Sequence, residues 1–275
     1  MKGFVKNRNQ EFTINGVNLS GVSSVNAGYS IPHEITSYIG YTGAPGIFQN
    51  SPGIGNLSFA RPLISSDEKI TELIARKEGF SGGLSYNNKS INFESGYISS
   101  YECTFSIDSI PQTNVSIVSY GNFGPSVEIE EIEENEQKIF IPLNSGIILE
   151  CDGRDTNRVS SFSFSINIST QPLYSVGSIY PVDIYLEKPI YQTFSVSLEI
   201  EDYETKSIYD YITKGFDKRD LSVTIHDKGG QDKIKYTFKD ARLVEENFAT
   251  DSEDNTSVNI KYIAPTMNQP IIEYI

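Results

Sequence analysis

Apolar and polar residues alternate along most of this chain. In Ser160-Ser-Phe-Ser-Phe-Ser-Ile-Asn-Ile168 the alternation is nearly unbroken, and Phe194-Ser-Val-Ser-Leu-Glu-Ile200 repeats it. A period of two predicts strands with one dry face and one wet face. Residues 11–19, 84–93, 191–200 and 257–263 read the same way. Only two segments carry helical spacing. Over 65–78, Ser65 with Glu68 makes a capping box, Asp67 and Glu68 suit a helix N-terminus, and Gly79 supplies a left-handed stop. Ile70, Leu73, Ile74 and Lys77 fall on one face of it. The second helix is predicted over 203–214, with Ile208, Tyr211 and Ile212 on one face and Gly215 as its stop.

The surroundings of the two helices match. Each is preceded by an alternating strand, Gly55 to Leu63 and Thr193 to Ile200, and followed by a strand, a polar turn and another strand. The turns are Asn87-Asn-Lys-Ser90 and Asp227-Lys-Gly-Gly230. Phe93-Glu-Ser-Gly-Tyr-Ile aligns with Phe238-Lys-Asp-Ala-Arg-Leu, Ile70 with Ile208, and Thr113-Asn-Val-Ser-Ile with Thr256-Ser-Val-Asn-Ile, which sets Val115 against Val258. This pattern predicts an internal repeat. The expected fold is all-β with two short helices: a tandem of a two-sheet β-sandwich or barrel unit, each unit flanked by one α-helix. The expected units are 1–121 and 158–275, joined by a connector at 122–157. That connector holds the run Glu128-Ile-Glu-Glu-Ile-Glu-Glu-Asn-Glu136, and a further strand is expected at 138–141.

Composition narrows the function. The net charge of −14 over 275 residues disfavours clamping of nucleic-acid phosphates and docking on anionic membranes. Tyr (17) and Phe (15) are abundant, as strands favour, while Trp is absent, which argues against a sugar-stacking platform. No apolar run is long enough for a transmembrane helix. Residues 1–10 lack the apolar stretch of a signal peptide, so synthesis and folding in a reducing cytoplasm are expected. Cys103 and Cys151 then read as small core hydrophobes. His33 and His226 have no partner at metal-binding spacing. Glu245-Glu246 and Asp251-Ser-Glu-Asp254 are the densest acidic clusters. The second lacks the glycine and terminal glutamate of a calcium loop and reads as a hairpin turn. No catalytic, cofactor or metal site is expected, and no enzymatic activity.

One segment asks for a partner. Residues 31–56 form a long loop rich in glycine and apolar side chains, among them Ile39, Tyr41, Pro45, Ile47, Phe48 and Ile54. Such a loop either folds back on its own unit or docks on a neighbouring subunit.

The strand from Gly55 to Leu63 leading into the helix at 65–78, and Tyr191 to Ile200 leading into the helix at 203–214, carry a family likeness. A tandem of β units, each with one short helix and a partner-seeking loop, resembles the tail tube proteins of long-tailed bacteriophages. Tube-like baseplate, distal-tail and tail-completion proteins share that architecture. The resemblance implies a virion tail protein, assembled in the host cytoplasm, whose six-unit rings stack into a tube. Fused pairs would make each ring from three chains. It further implies contacts with tape-measure, baseplate and terminator proteins. DNA would pass without specific binding, repelled by acidic groups facing the channel. The residues of the 31–56 loop would be inter-subunit contacts, and no membrane insertion or cofactor is implied. The alternatives are a baseplate or distal-tail protein of the same fold, or a secreted β-sandwich carbohydrate-binding module.

Overall fold

A computed structural model places the alternating segments in strands. The structure describes residues 10–31, 33–36, 40, 42–43, 46–49, 53–63, 66–86, 89–107, 109–125, 146–200, 203–213, 218–227, 229–249, 256–266 and 270–275. The elements of the first half are β1 (Gln10–Ile14), β2 (Val17–Leu19), β3 (Ser24–Ser30), β4 (His33–Thr36), β5 (Gly46–Gln49), β6 (Ile54–Pro62), α1 (Glu68–Thr71), β7 (Phe80–Tyr86), β8 (Lys89–Ser106), β9 (Gln112–Ser119) and β10 (Phe123–Gly124). Those of the second half are β11 (Gly146–Cys151), β12 (Arg154–Thr156), β13 (Val159–Asn167), β14 (Thr170–Leu173), β15 (Asp183–Leu186), β16 (Tyr191–Ile200), α2 (Tyr203–Thr213), β17 (Arg219–His226), β18 (Asp232–Ala249), β19 (Thr256–Pro265) and β20 (Ile271–Tyr274). The chain is therefore all-β with two short helices.

Two turns break what the alternation alone would join. Residues 11–19, predicted as one strand, are the hairpin β1–β2, closed by Asn15-Gly16 with φ of 48° and 80°. Two successive residues in the left-handed region are what a two-residue hairpin turn needs, and Asn and Gly tolerate it best. Asp152-Gly153, with φ of 49° and 79°, closes β11–β12 in the same way. That hairpin lies inside the segment 122–157 read as a connector, yet β11 pairs with β17 and is part of the sheet. Residues 126–145, including the strand expected at 138–141, lie outside the described residues.

The strand pairings of the two halves correspond one for one. β7 pairs with β1 and β8, β9 with β8 and β6, and β6 with β3. In the second half β17 pairs with β11 and β18, β19 with β18 and β16, and β16 with β13. β10 adds to β8 as β20 adds to β18. β4–β5 and β14–β15 stand apart as separate hairpins. The strands β8 and β18 are 18 residues long, and each serves two sheets. Its first part pairs toward β7 or β17, its second toward β9 or β19. The register slips between Ile98 and Ser100 in one and between Leu243 and Glu245 in the other. A bulge bends a strand and increases its twist, which lets one strand pass from sheet to sheet.

The two sheets of each half close on aromatic side chains. Phe12 of β1 meets Phe59 of β6 with ring centroids 4.8 Å apart, and Phe194 of β16 stacks on Phe238 of β18 at 3.8 Å. A further ladder, β13 against β8, joins the halves. Across it Phe105 stacks on Phe162, and Tyr236 touches Phe105, Phe162 and Phe164. One continuous core thus runs through both halves.

α1 is shorter than predicted. Only Glu68–Thr71 is α-helical, and residues 72–75 continue as turns with i→i−3 bonds from Leu73, Ile74 and Arg76. Ala75 takes φ of 58° and stops the helix before Gly79 is reached. Ile70, Leu73 and Ile74 are buried as the helical spacing required, while Lys77 is exposed. The Asp67 carboxylate makes no cap, because it is spent elsewhere. It accepts from Arg61 Nε at 3.0 Å and Arg61 Nη2, and from the Tyr101 hydroxyl at 3.0 Å. Ser66 Oγ accepts from the Glu68 amide instead. α2 runs close to its predicted span, with Ile212 and Tyr209 buried and the Tyr262 hydroxyl donating to the Ile212 carbonyl.

Arg61 and Asp67 are both fully buried. A buried charge that loses its partner is far costlier than the pair removed together. Arg61→Leu alone should lower unfolding free energy by about 3–5 kcal/mol, and Arg61→Leu with Asp67→Asn by clearly less. Denaturant titration of the two variants measures both.

Candidate assembly interface

β3, β6, β9, β8, β13, β16, β19 and β18 follow one another as hydrogen-bonded neighbours across both halves. One face of this ladder is the core. The other presents small polar side chains, among them Ser58, Ser116, Ser163, Ser165, Ser195 and Asn259. Among the described residues of these strands its charged side chains are Glu102, Glu199, Arg242, Glu245 and Lys261. The acidic excess of the described residues is therefore not on this face.

The ladder has two bare ends. Among the described residues β3 pairs with β6 only, and the second part of β18 pairs with β19 only. In the interior, the equivalent part of β8 has a strand on each side, β9 and β13. The end strands carry exposed apolar side chains. Phe248 on β18 is 58% exposed, edge-on to Tyr209 of α2, and Tyr29 on β3 is equally open.

Of the loop residues singled out from sequence, Ile39, Tyr41 and Pro45 lie outside the described residues. Ile47 is exposed on β5, opposite Ile35, which is exposed on β4. Phe48 is also on β5, but its side chain is outside the described set. Ile54 belongs to the sheet rather than the loop: it opens β6, opposite Ser30, and is half-buried.

None of the apolar residues of the second arm was singled out from sequence. β14–β15 and its tip expose Leu173, Val176, Ile179, Tyr180, Val182 and Tyr185. The density of apolar residues between Thr170 and Leu186 was the available signal. This arm is moored to the first half. The Tyr120 hydroxyl lies 2.8 Å from Thr170 Oγ1, and the Tyr180 hydroxyl donates to Asn122 Oδ1. Among the described residues, no hydrogen bond ties β4–β5 to another element.

Both cysteines are buried. Burial pushes the Cys103 thiol up to about 12 and the Cys151 thiol up to about 11, and both are free. Burial likewise raises the Tyr101, Tyr236 and Tyr274 phenols. His226 bonds to the Asp227 carbonyl at 3.0 Å. Arg154 and Arg219 flank the ring of Tyr211 at 4.2 and 4.5 Å, and the Tyr211 hydroxyl donates to Asp152 at 3.0 Å, which pins α2 to the β11–β12 turn. Among the described residues no three His, Cys, Asp or Glu side chains gather as metal ligands, and no helix is long and apolar enough to cross a membrane.

Comparison with models of known protein families and with curated proteins finds no match.

The raised thiols and phenols tie stability to pH. A folded state that holds these protons more tightly keeps its full stability below the unfolded thiol value near 9 and loses it as pH rises through 9 toward 12. The melting temperature should be flat from about pH 7 to 8.5 and fall above about 9. Both thiols are buried and raised, so at pH 8 a disulfide reagent should label neither cysteine until the protein unfolds. Thermal scans against pH and native thiol titration check the two outcomes.

Proposed function

We propose that this chain is a structural, non-enzymatic subunit of a phage-tail type tube, built from two copies of one β module. Its role is to form the wall of a channel through which DNA passes. The observation that carries this reading is the continuous ladder from β3 to β18. It presents a core on one side and a smooth face of serine, asparagine and threonine on the other. A wall of that kind offers an anionic polymer almost no cation to bind, with Arg242 and Lys261 accompanied by three glutamates on the same face. The one-for-one correspondence of pairings supports the two-module reading. Two modules per chain would make a six-module ring from three chains. The exposed apolar arms, β4–β5 and β14–β15, are suited to contacts within the ring or between stacked rings. The partners of such a subunit are its own copies and the neighbouring tail proteins (tape measure, baseplate and terminator), and its place is the virion tail.

Negative-stain micrographs of the purified, concentrated protein test the proposal. Rings or tubes with a central channel are expected. Isolated particles at every concentration, with a single-chain mass by sedimentation, would overturn it.

A further inference from the structure

The ladder that joins the two halves also contains the rule for joining a second copy. The paired bulges fix the equivalence of the long strands. Ile98 faces Ile117 as Leu243 faces Tyr262, so a residue of β8 corresponds to the residue of β18 that lies 145 positions on. Val25 faces Phe59 as Phe162 faces Val196, so a residue of β3 corresponds to the residue of β13 that lies 137 positions on. Inside the chain, β13 lies on β8 with Ser163 opposite Thr104, Phe164 opposite Cys103 and Asn167 opposite Ser100. Carried through both equivalences, that register sets Asn26 opposite Ala249, Ala27 opposite Phe248, Gly28 opposite Asn247 and Ser30 opposite Glu245. These are residues of the two bare ends.

We infer that β3 of one copy pairs antiparallel with residues 245–249 of the next copy in this register, head to tail. The inference rests on the reading of the chain as a self-assembling wall, but it names the partner surface and can fail separately. Three observations support it. Among the described residues the two edges are unpaired on the side where their interior equivalents are paired. The sizes match: inside the chain a large Phe164 meets a small Cys103, and at the ends a small Ala27 would meet a large Phe248. The total volume at that level is roughly kept, and the 58% exposure of Phe248, where Cys103 is wholly buried, would be removed. Finally, β3 reads Ser-Val-Asn-Ala-Gly-Tyr-Ser, with none of the charges or prolines that normally guard a free edge. A pairing between two different surfaces is heterologous, so repeated addition gives a ring or a filament rather than a two-fold dimer.

The test places Asn26→Cys and Ala249→Cys on separate, differently tagged chains. Both side chains are exposed on the polar face, so folding is spared. Directly opposed strand residues lie about 4.5–5.5 Å apart at Cα, within disulfide reach, whereas diagonal neighbours lie about 7–8 Å apart. Mixed and oxidised, the two variants should give a covalent heterodimer, with a yield about tenfold above Asn26→Cys mixed with Asn247→Cys. Equal yields would overturn the register. Absence of any trans cross-link, or a cross-link formed only within a chain carrying both cysteines, would overturn the pairing. Phe248→Glu provides a second arm: it should abolish assembly while leaving the monomer's melting temperature near wild type, and undiminished assembly would count against the inference. Micrographs of the cross-linked material separate the two proposals. Cross-linked open filaments would keep the pairing and remove the tube. Tubes that do not cross-link at these positions would do the reverse.

Discussion

Residues 161–167 of β13 lie against residues 100–106 of β8, and this antiparallel ladder turns two sets of strands into one sheet over one core. It holds Tyr101, Cys103 and Phe105 fully out of water by placing Phe162, Phe164 and, from the far sheet, Tyr236 against them. Backbone pairing at such a seam satisfies donors and acceptors that an open edge would leave to solvent. The bulges in β8 and β18 matter for the same reason. They bend each long strand so that its first part pairs toward β7 or β17 and its second toward β9 or β19, and in β8 the second part also reaches β13.

On its buried side the seam has a charged neighbour. Arg61, Asp67 and Tyr101 form a buried charged cluster beside it. The strand equivalences place Leu198 where Arg61 stands and Val258 where Thr113 stands, both buried. The two halves are thus not interchangeable. An apolar side chain fills this level of the second half without charge, which accords with the general finding that buried ion pairs add little net stability over a well-packed apolar replacement. What the pair does provide is a steep penalty for any arrangement that separates Arg61 from Asp67.

Much of this was legible: period-two alternation located β13, β16 and β19, and helical spacing located the buried Ile70, Leu73, Ile74 and Ile212, though not Tyr209. The blind spots of alternation have physical causes. Alternation is unchanged by a slip of two residues, so Val115 aligns by sequence with Val258, whereas the pairings set it level with Ile260. Alternation also runs straight through tight turns. Asn15-Gly16 and Asp152-Gly153 were the signals that would have split 11–19 and lifted β11–β12 out of the connector. The short span of α1 could not be read locally, because Arg61 draws the Asp67 carboxylate away from the first helix amides and a left-handed Ala75 follows the last turn. The bare edges were illegible for a deeper reason: whether a strand has a neighbour is a property of the sheet, not of the segment.

The seam also imposes an order on synthesis. β8 is complete when the ribosome has made residue 106, but its covering strand and Tyr236 lie far downstream, several seconds of translation away. During that interval the first half carries a strip of Tyr101, Cys103 and Phe105 that still lacks the cover of Phe162, Phe164 and Tyr236. That strip is the place where a chaperone, or a neighbouring polysome's product, would be expected to meet the unfinished chain.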